Sequence, residues 1–205
     1  MLTAFTASLL LITVSELGDK TFFIAAILAM RHRRRWVFVG AVAALALMTI
    51  LSVLIGQAAT LLPQSVVKWA EIFLFTLFGI KLLYEASQMS AVAKGTEEAE
   101  AAETVAKAEQ TRHQKEATPL AIISEAFGLT FVAEWGDRTQ IATIALAAAN
   151  PALGVVSGAV LGHAICAAIA TNCGRWLCGR LSERTLTALG GSLFLLFALF
   201  ALMKS

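Results

Sequence analysis

Charge is what this sequence has least of. Only 15% of its 205 residues are charged, 58% are hydrophobic, and the mean hydropathy is +0.76. A usual soluble domain carries about 25% charged residues. One core in a chain of this length could not hide so much apolar side chain, so a water-soluble globule is excluded. Three prolines and one tyrosine exclude Pro-rich or disordered architecture for the bulk of the chain. The three cysteines, Cys166, Cys173 and Cys178, form no CxxC and lie in or beside apolar segments. They indicate neither a disulfide framework nor a zinc site. A net charge of +2 is too small to argue for nucleic acid.

What is present is six apolar blocks: Leu2 to Met30, Trp36 to Leu62, Val66 to Gln88, Pro119 to Ala149, Ala152 to Leu177 and Thr185 to Met203. Each has the ~20 residues that a helix needs to cross ~30 Å of hydrocarbon. The longer ones permit tilt or a broken middle. The blocks are continuously apolar rather than alternating, which excludes an outer-membrane barrel. The first block has no basic start and runs on through Glu16, Asp19 and Lys20, so it reads as a retained helix and not a secretory signal. The expected fold is all-α and integral to the membrane, with six transmembrane helices.

Basic residues set the orientation. Arg31, Arg33, Arg34 and Arg35 follow the first block; Arg175, Arg180 and Arg184 lie at or beside the loop before the sixth; Lys94, Lys107, Arg112 and Lys115 lie between the third and fourth. The other side has Lys68 and Lys204. The positive-inside rule places both termini outside the cytoplasm. The connection from Met89 to Thr118 is the one soluble segment, with six acidic and four basic residues between Lys94 and Glu116. It reads as a solvated, helix-permissive linker.

An offset of 118 residues carries the sequence onto itself. Ser15-Glu16-Leu17-Gly18-Asp19-Lys20-Thr21 falls on Ala133-Glu134-Trp135-Gly136-Asp137-Arg138-Thr139, and Gly40 and Gly56 fall on Gly158 and Gly174. The domain boundaries follow: residues 1–88 and 119–205 as three-helix repeats, with 89–118 joining them. An odd number of crossings inverts the second repeat and brings the two ExGD[KR]T motifs toward the bilayer centre.

A charge at mid-membrane costs ~2.5–3.5 kcal/mol even on the mildest scale, and six occur in two short motifs: Glu16, Asp19, Lys20, Glu134, Asp137 and Arg138. On an unbroken helix each Glu/Asp pair shares one face. Four carboxylates form an oxygen cage of the kind that hard divalent cations take; calcium accepts 6–8 oxygens, and manganese and magnesium about six. The metal ligands are therefore expected to be Glu16, Asp19, Glu134 and Asp137. Ser15, Thr130 and Gln140 are possible additional ligands. Gly18 and Gly136 allow close helix approach or local unwinding. Lys20 and Arg138 are possible charge partners that hold the acids ionised; the other reading points them toward another helix. A buried salt-bridge network is disfavoured because four acids against two bases leave a charge that a divalent cation or two protons would balance. Glu125 has the roles of mouth residue, pairing residue or ligand open to it, and His163 those of core residue or proton relay. Glu71 and Lys81 are read as structural, and the Phe73–Phe78 run and the last block as lipid-facing or packing surface.

At these residues the chain resembles a family of small six-helix cation/proton exchangers, which includes Golgi calcium/manganese transporters and bacterial manganese exporters. Its signature is two copies of E-x-G-D-[KR]-[TS], here Glu16 to Thr21 and Glu134 to Thr139. The resemblance implies export of a divalent cation, Mn²⁺ first and Ca²⁺ second, in exchange for protons, with the motif acids as ligands. It implies no cofactor, no enzymatic activity, and protons, the cation and the bilayer as partners. The short N-terminus looks bacterial, hence a multi-pass inner-membrane protein. The main competitor is a passive cation channel, which would also line its path with acids but needs weak, multi-site binding. An intramembrane aspartyl protease would use GxGD where both copies here read ExGD. A membrane scaffold is the third alternative.

Overall fold

The computed structural model describes residues 1–89, 96–111, 118–178 and 182–203. Of the residues used for orientation, Lys94, Arg112, Lys115, Arg180 and Lys204 lie outside the described residues, as does the side chain of Arg175. The described residues form helices α1 (Leu2–Glu16), α2 (Lys20–Arg31), α3 (Arg34–Ala59), α4 (Gln64–Gln88), α5 (Thr96–Thr111), α6 (Pro119–Ala133), α7 (Arg138–Ala149), α8 (Ala152–Leu177) and α9 (Glu183–Met203). The chain is a helical membrane protein. Arg34–Ala59, Ala152–Gly174 and Glu183–Met203 are each long and apolar enough to cross a membrane, and α1 and α6 are shorter apolar helices.

The first and fourth apolar blocks are each two helices, so the shared-face argument for Glu16 with Asp19, and for Glu134 with Asp137, does not hold. The chain turns at the motif. Gly18 and Gly136 have φ of +78° and +82°, a region closed to most side-chain-bearing residues. The next residues, Asp19 and Asp137, have extended backbone and open α2 and α7. In both copies the Asp N–H donates back to the Glu carbonyl at 3.2 Å. In the second copy the Gly136 N–H, left free by the break, donates to the Gln140 side-chain Oε1 at 2.7 Å.

Small residues bring the helices together, as they do where lipid removes any hydrophobic preference for one partner over another. The contacts recur at the 118-residue offset. A methyl added to Gly40 of α3 would strike the Ile123 carbonyl and Ala126 of α6; one added to Gly158 of α8 would strike the Phe5 carbonyl and Ser8 of α1. Gly56 lies in the same way on Ile144 and Ala147 of α7, and Gly174 on Ala26 of α2. Each long helix of one half therefore packs on the broken pair of the other. Helices α4 and α9 pack together through Phe75 and Phe194, edge to face with centroids 5.8 Å apart. Phe73 and Leu77 of the same run are exposed on the outer side.

The middle of the charged connection is not only solvated. Ala101 and Val105, one turn apart on α5, are fully buried in the cluster that holds Phe22, Phe23 and Ile122. A narrow apolar stripe on an otherwise acidic helix is enough to dock it on α2. Glu183, at the start of α9, accepts hydrogen bonds from the N–H groups of Thr96 and Glu97 at 2.9 Å and of Glu98 at 3.3 Å, capping α5 from another helix. Burial holds the Glu97 carboxyl above its ordinary range, and the Arg138 guanidinium pulls it the other way.

Candidate metal-binding site

Because both helix pairs break at their motifs, the carboxylates lie at helix ends and not on one helix face. Carboxylate oxygens of Glu16, Glu134 and Asp137 come within 4.8 Å of one another, a spacing that fits one shared cation. Glu16 and Glu134 are 1% and 2% exposed. Each still has a buried Oε1 without a hydrogen-bond partner among the described residues. Such an oxygen is costly to bury unless something compensates it. The N-termini of α2 and α7 open at the cluster, adding partial positive charge where the acids gather.

Thr21 and Thr139 close each motif. The Thr21 hydroxyl donates to Glu16 Oε2 at 3.3 Å, and the Thr139 hydroxyl donates to Asp137 Oδ2 at 2.9 Å and faces Glu134 Oε2 at 3.5 Å. The sequence reading assigned them nothing, although both copies end in threonine. Their hydroxyls hold the carboxylates in place from the first turn of the following helix.

Asp19 is not in this group. It is paired with Arg138, whose Nη2 lies 2.6 Å from Asp19 Oδ1. Lys20, the counterpart of Arg138, does not turn to the motif acids; its Nζ lies 3.2 Å from Glu100 on α5. Ser15 is buried beside Asp19 and lines, with Glu97, Arg138 and Glu183, the small cleft that α5 covers. Thr130 is buried one turn before Glu134, its hydroxyl without a hydrogen-bond partner among the described residues. The Gln140 amide is occupied by Gly136 N–H and, through Nε2, by Met48 Sδ at 3.0 Å.

His163 of α8 is buried with Nδ1 4.0 Å from Glu16 Oε2. Glu125 faces His32 at 3.8 Å, away from the cluster. Glu71 is buried at the rim of a 440 Å³ cavity between α1, α4, α7 and α9, far along the chain from either motif. Lys81 pairs with Glu85 on its own helix at 3.7 Å.

Comparison with known proteins gives the site its context. The profile of the divalent cation/proton antiporter GDT1 family matches residues 4–90 and 122–205, leaving out the connection between them. A GDT1-like protein of Synechocystis sp. is 60% identical over 198 residues, 97% of this chain and 96% of that one. The chloroplastic GDT1-like protein 2 of Oryza sativa subsp. japonica is 44% identical over 95% of this chain, and the chloroplastic PAM71-homolog protein of Arabidopsis thaliana 43% identical over 95%. The chain spans 59% and 57% of those two plant proteins. No solved structure matches.

Proposed function

This chain belongs to the divalent cation/proton antiporter GDT1 family, and from that premise we propose that it exports Mn²⁺, with Ca²⁺ as a second cargo, in exchange for protons at the Glu16–Glu134–Asp137 cluster. The observation that carries the reading is that three carboxylates, from both halves of the chain, lie within 4.8 Å of one another in a buried place. Hard divalent cations take such oxygen donors. One divalent cation and two protons carry the same charge. They can therefore replace one another on these oxygens while the buried charge stays constant, which is the chemical requirement for exchange. No cofactor is needed, and no bond is made or broken.

Arg138 neutralises Asp19 beside the cluster and so keeps a fourth charge from repelling the other three. In this scheme Asp19 is the acid that Arg138 releases when the site changes access, and it then joins the ligands. Two inverted three-helix repeats, residues 1–88 and 119–205, would rock about the cluster. The reciprocal glycine contacts of α3 on α6 and α7, and of α8 on α1 and α2, support that arrangement. Metal enters from the cytoplasm, displaces protons, and is released when protons arrive from the more acidic outer side. Placement in the inner membrane of a bacterium, with both termini outside, completes the proposal.

The test is Mn²⁺ flux in liposomes holding the purified protein, with imposed pH gradients. Flux that follows the gradient in size and sign, with counter-movement of protons, supports exchange. Flux indifferent to the gradient, without proton movement, turns the reading to a passive channel.

A further inference from the structure

An imidazole of α8 lies beside the oxygen cluster. His163 is 5% exposed, and its Nδ1 has no hydrogen-bond partner among the described residues. That atom lies 4.0 Å from Glu16 Oε2. Hydrogen bonds of this type span about 2.7–3.2 Å, so the two groups are not bonded to each other. His163 is not one of the three residues whose donor atoms converge within 4.8 Å; it faces that group from the Glu16 side. Donors about 2.2 Å from one cation lie about 3 to 4.4 Å apart, so the His163–Glu16 separation falls within the span of one ion's donors. The 118-residue offset places Leu45 where the second half has His163, so the duplicated motif does not duplicate the nitrogen.

Two sulfur atoms lie in the same region, and both are engaged. Met48 Sδ accepts from Gln140, and Cys166, one turn beyond His163 on α8, donates to the Thr13 carbonyl at 3.4 Å. His163 Nδ1 is not so engaged among the described residues.

We propose that His163 is a ligand of the transported ion through Nδ1 and sets the preference for Mn²⁺ over Ca²⁺, an inference that rests on the cation site described above. Ca²⁺ takes oxygen donors, whereas imidazole is a good donor to first-row transition ions, among which Mn²⁺ is the hardest. Replacing one oxygen donor by nitrogen therefore disfavours Ca²⁺ and leaves Mn²⁺ bound. The preference comes from α8, outside both motifs.

The experiment compares Mn²⁺ and Ca²⁺ flux at equal concentrations through the full chain in liposomes. In His163→Leu, which copies the first half, the Mn²⁺:Ca²⁺ flux ratio falls about tenfold while Ca²⁺ flux persists. An unchanged ratio overturns the proposal. Glu134→Gln is the control for the site itself. It loses both fluxes if the cluster binds the ion; normal flux in that variant defeats the site reading, whatever His163 does. If His163→Leu fails to insert, pulsed EPR of Mn²⁺ bound to the unaltered protein decides the matter. Nitrogen coupling that disappears in His163→Gln supports the ligand. Its absence from the unaltered protein, or its persistence in His163→Gln, overturns it.

Discussion

Asp19 and Arg138 come from different copies of one motif, yet they form a single ion pair of 2.6 Å between the two halves. Their counterparts do not mirror them. Asp137 joins Glu16 and Glu134 in the acid cluster, and Lys20 goes to Glu100 on α5. The sequence is nearly symmetric at this point and the chemistry is not.

This pair gives the first prediction. Its members are 10% and 25% exposed, so losing one partner leaves an uncompensated charge. Arg138→Gln should cost about 3–5 kcal/mol, and the double change with Asp19→Asn should recover most of it. Thermal unfolding in detergent, run as a double-mutant cycle, measures the coupling; a coupling near zero refutes the pair.

Removing a carboxylate from the cluster should remove the function and not the fold. Glu16→Gln or Asp137→Asn is expected to abolish Mn²⁺ flux while the protein still inserts, since an amide supplies one neutral oxygen in place of a charged pair. Either variant transporting at the unaltered rate rejects the ligand assignment. Asp19→Asn leaves the three-acid cluster intact but removes the acid that joins it later in the cycle, and should slow flux without abolishing it.

The two motif glycines should differ in sensitivity. Both have positive φ, and an alanine there costs about 1–2 kcal/mol from backbone strain alone. A methyl on Gly136 meets nothing within 4 Å, whereas one on Gly18 runs into the Leu186 side chain. Gly18→Ala should therefore lower the unfolding temperature more than Gly136→Ala. Equal losses would mean that α9 gives way freely at Leu186.

Competition between protons and metal on shared oxygens sets the sign of the pH effect. Acidifying the side that receives the ion should speed export, and acidifying the side that supplies it should weaken apparent affinity. Initial Mn²⁺ flux at varied pH on each side of the vesicle reads both. Identical responses on the two sides would contradict exchange.

The docked connection is testable without transport. Glu183 accepts from three N–H groups at the start of α5. Glu183→Ala removes this cap at a cost of about 1 kcal/mol. Hydrogen exchange at residues 96–98 should rise, while residues 101–105, held by Ala101 and Val105, change less. Unchanged exchange at the first turn would show that the cap contributes nothing.

Much was legible in the chain itself because it depends on composition and local chemistry. Low charge and continuous apolar blocks determine the bilayer as solvent, since no water-soluble core could hold them. The register of 118 residues determines that Gly40 and Gly158, or Gly56 and Gly174, meet equivalent neighbours. The repeated ExGD, with glycine between two acids, determines that charge gathers at two places and that the backbone can turn there. Tertiary structure alone decided what each charged residue does. Whether an acid meets a cation or other acids depends on which atoms of the opposite half come within about 4 Å, and identical motifs carry no record of that. So Asp19 pairs with Arg138 and Asp137 does not mirror it, and α5 draws Lys20 away. His163, with no motif to mark it, reaches Glu16 because α8 packs against α1 through glycines more than 140 residues away in sequence from the helix they touch.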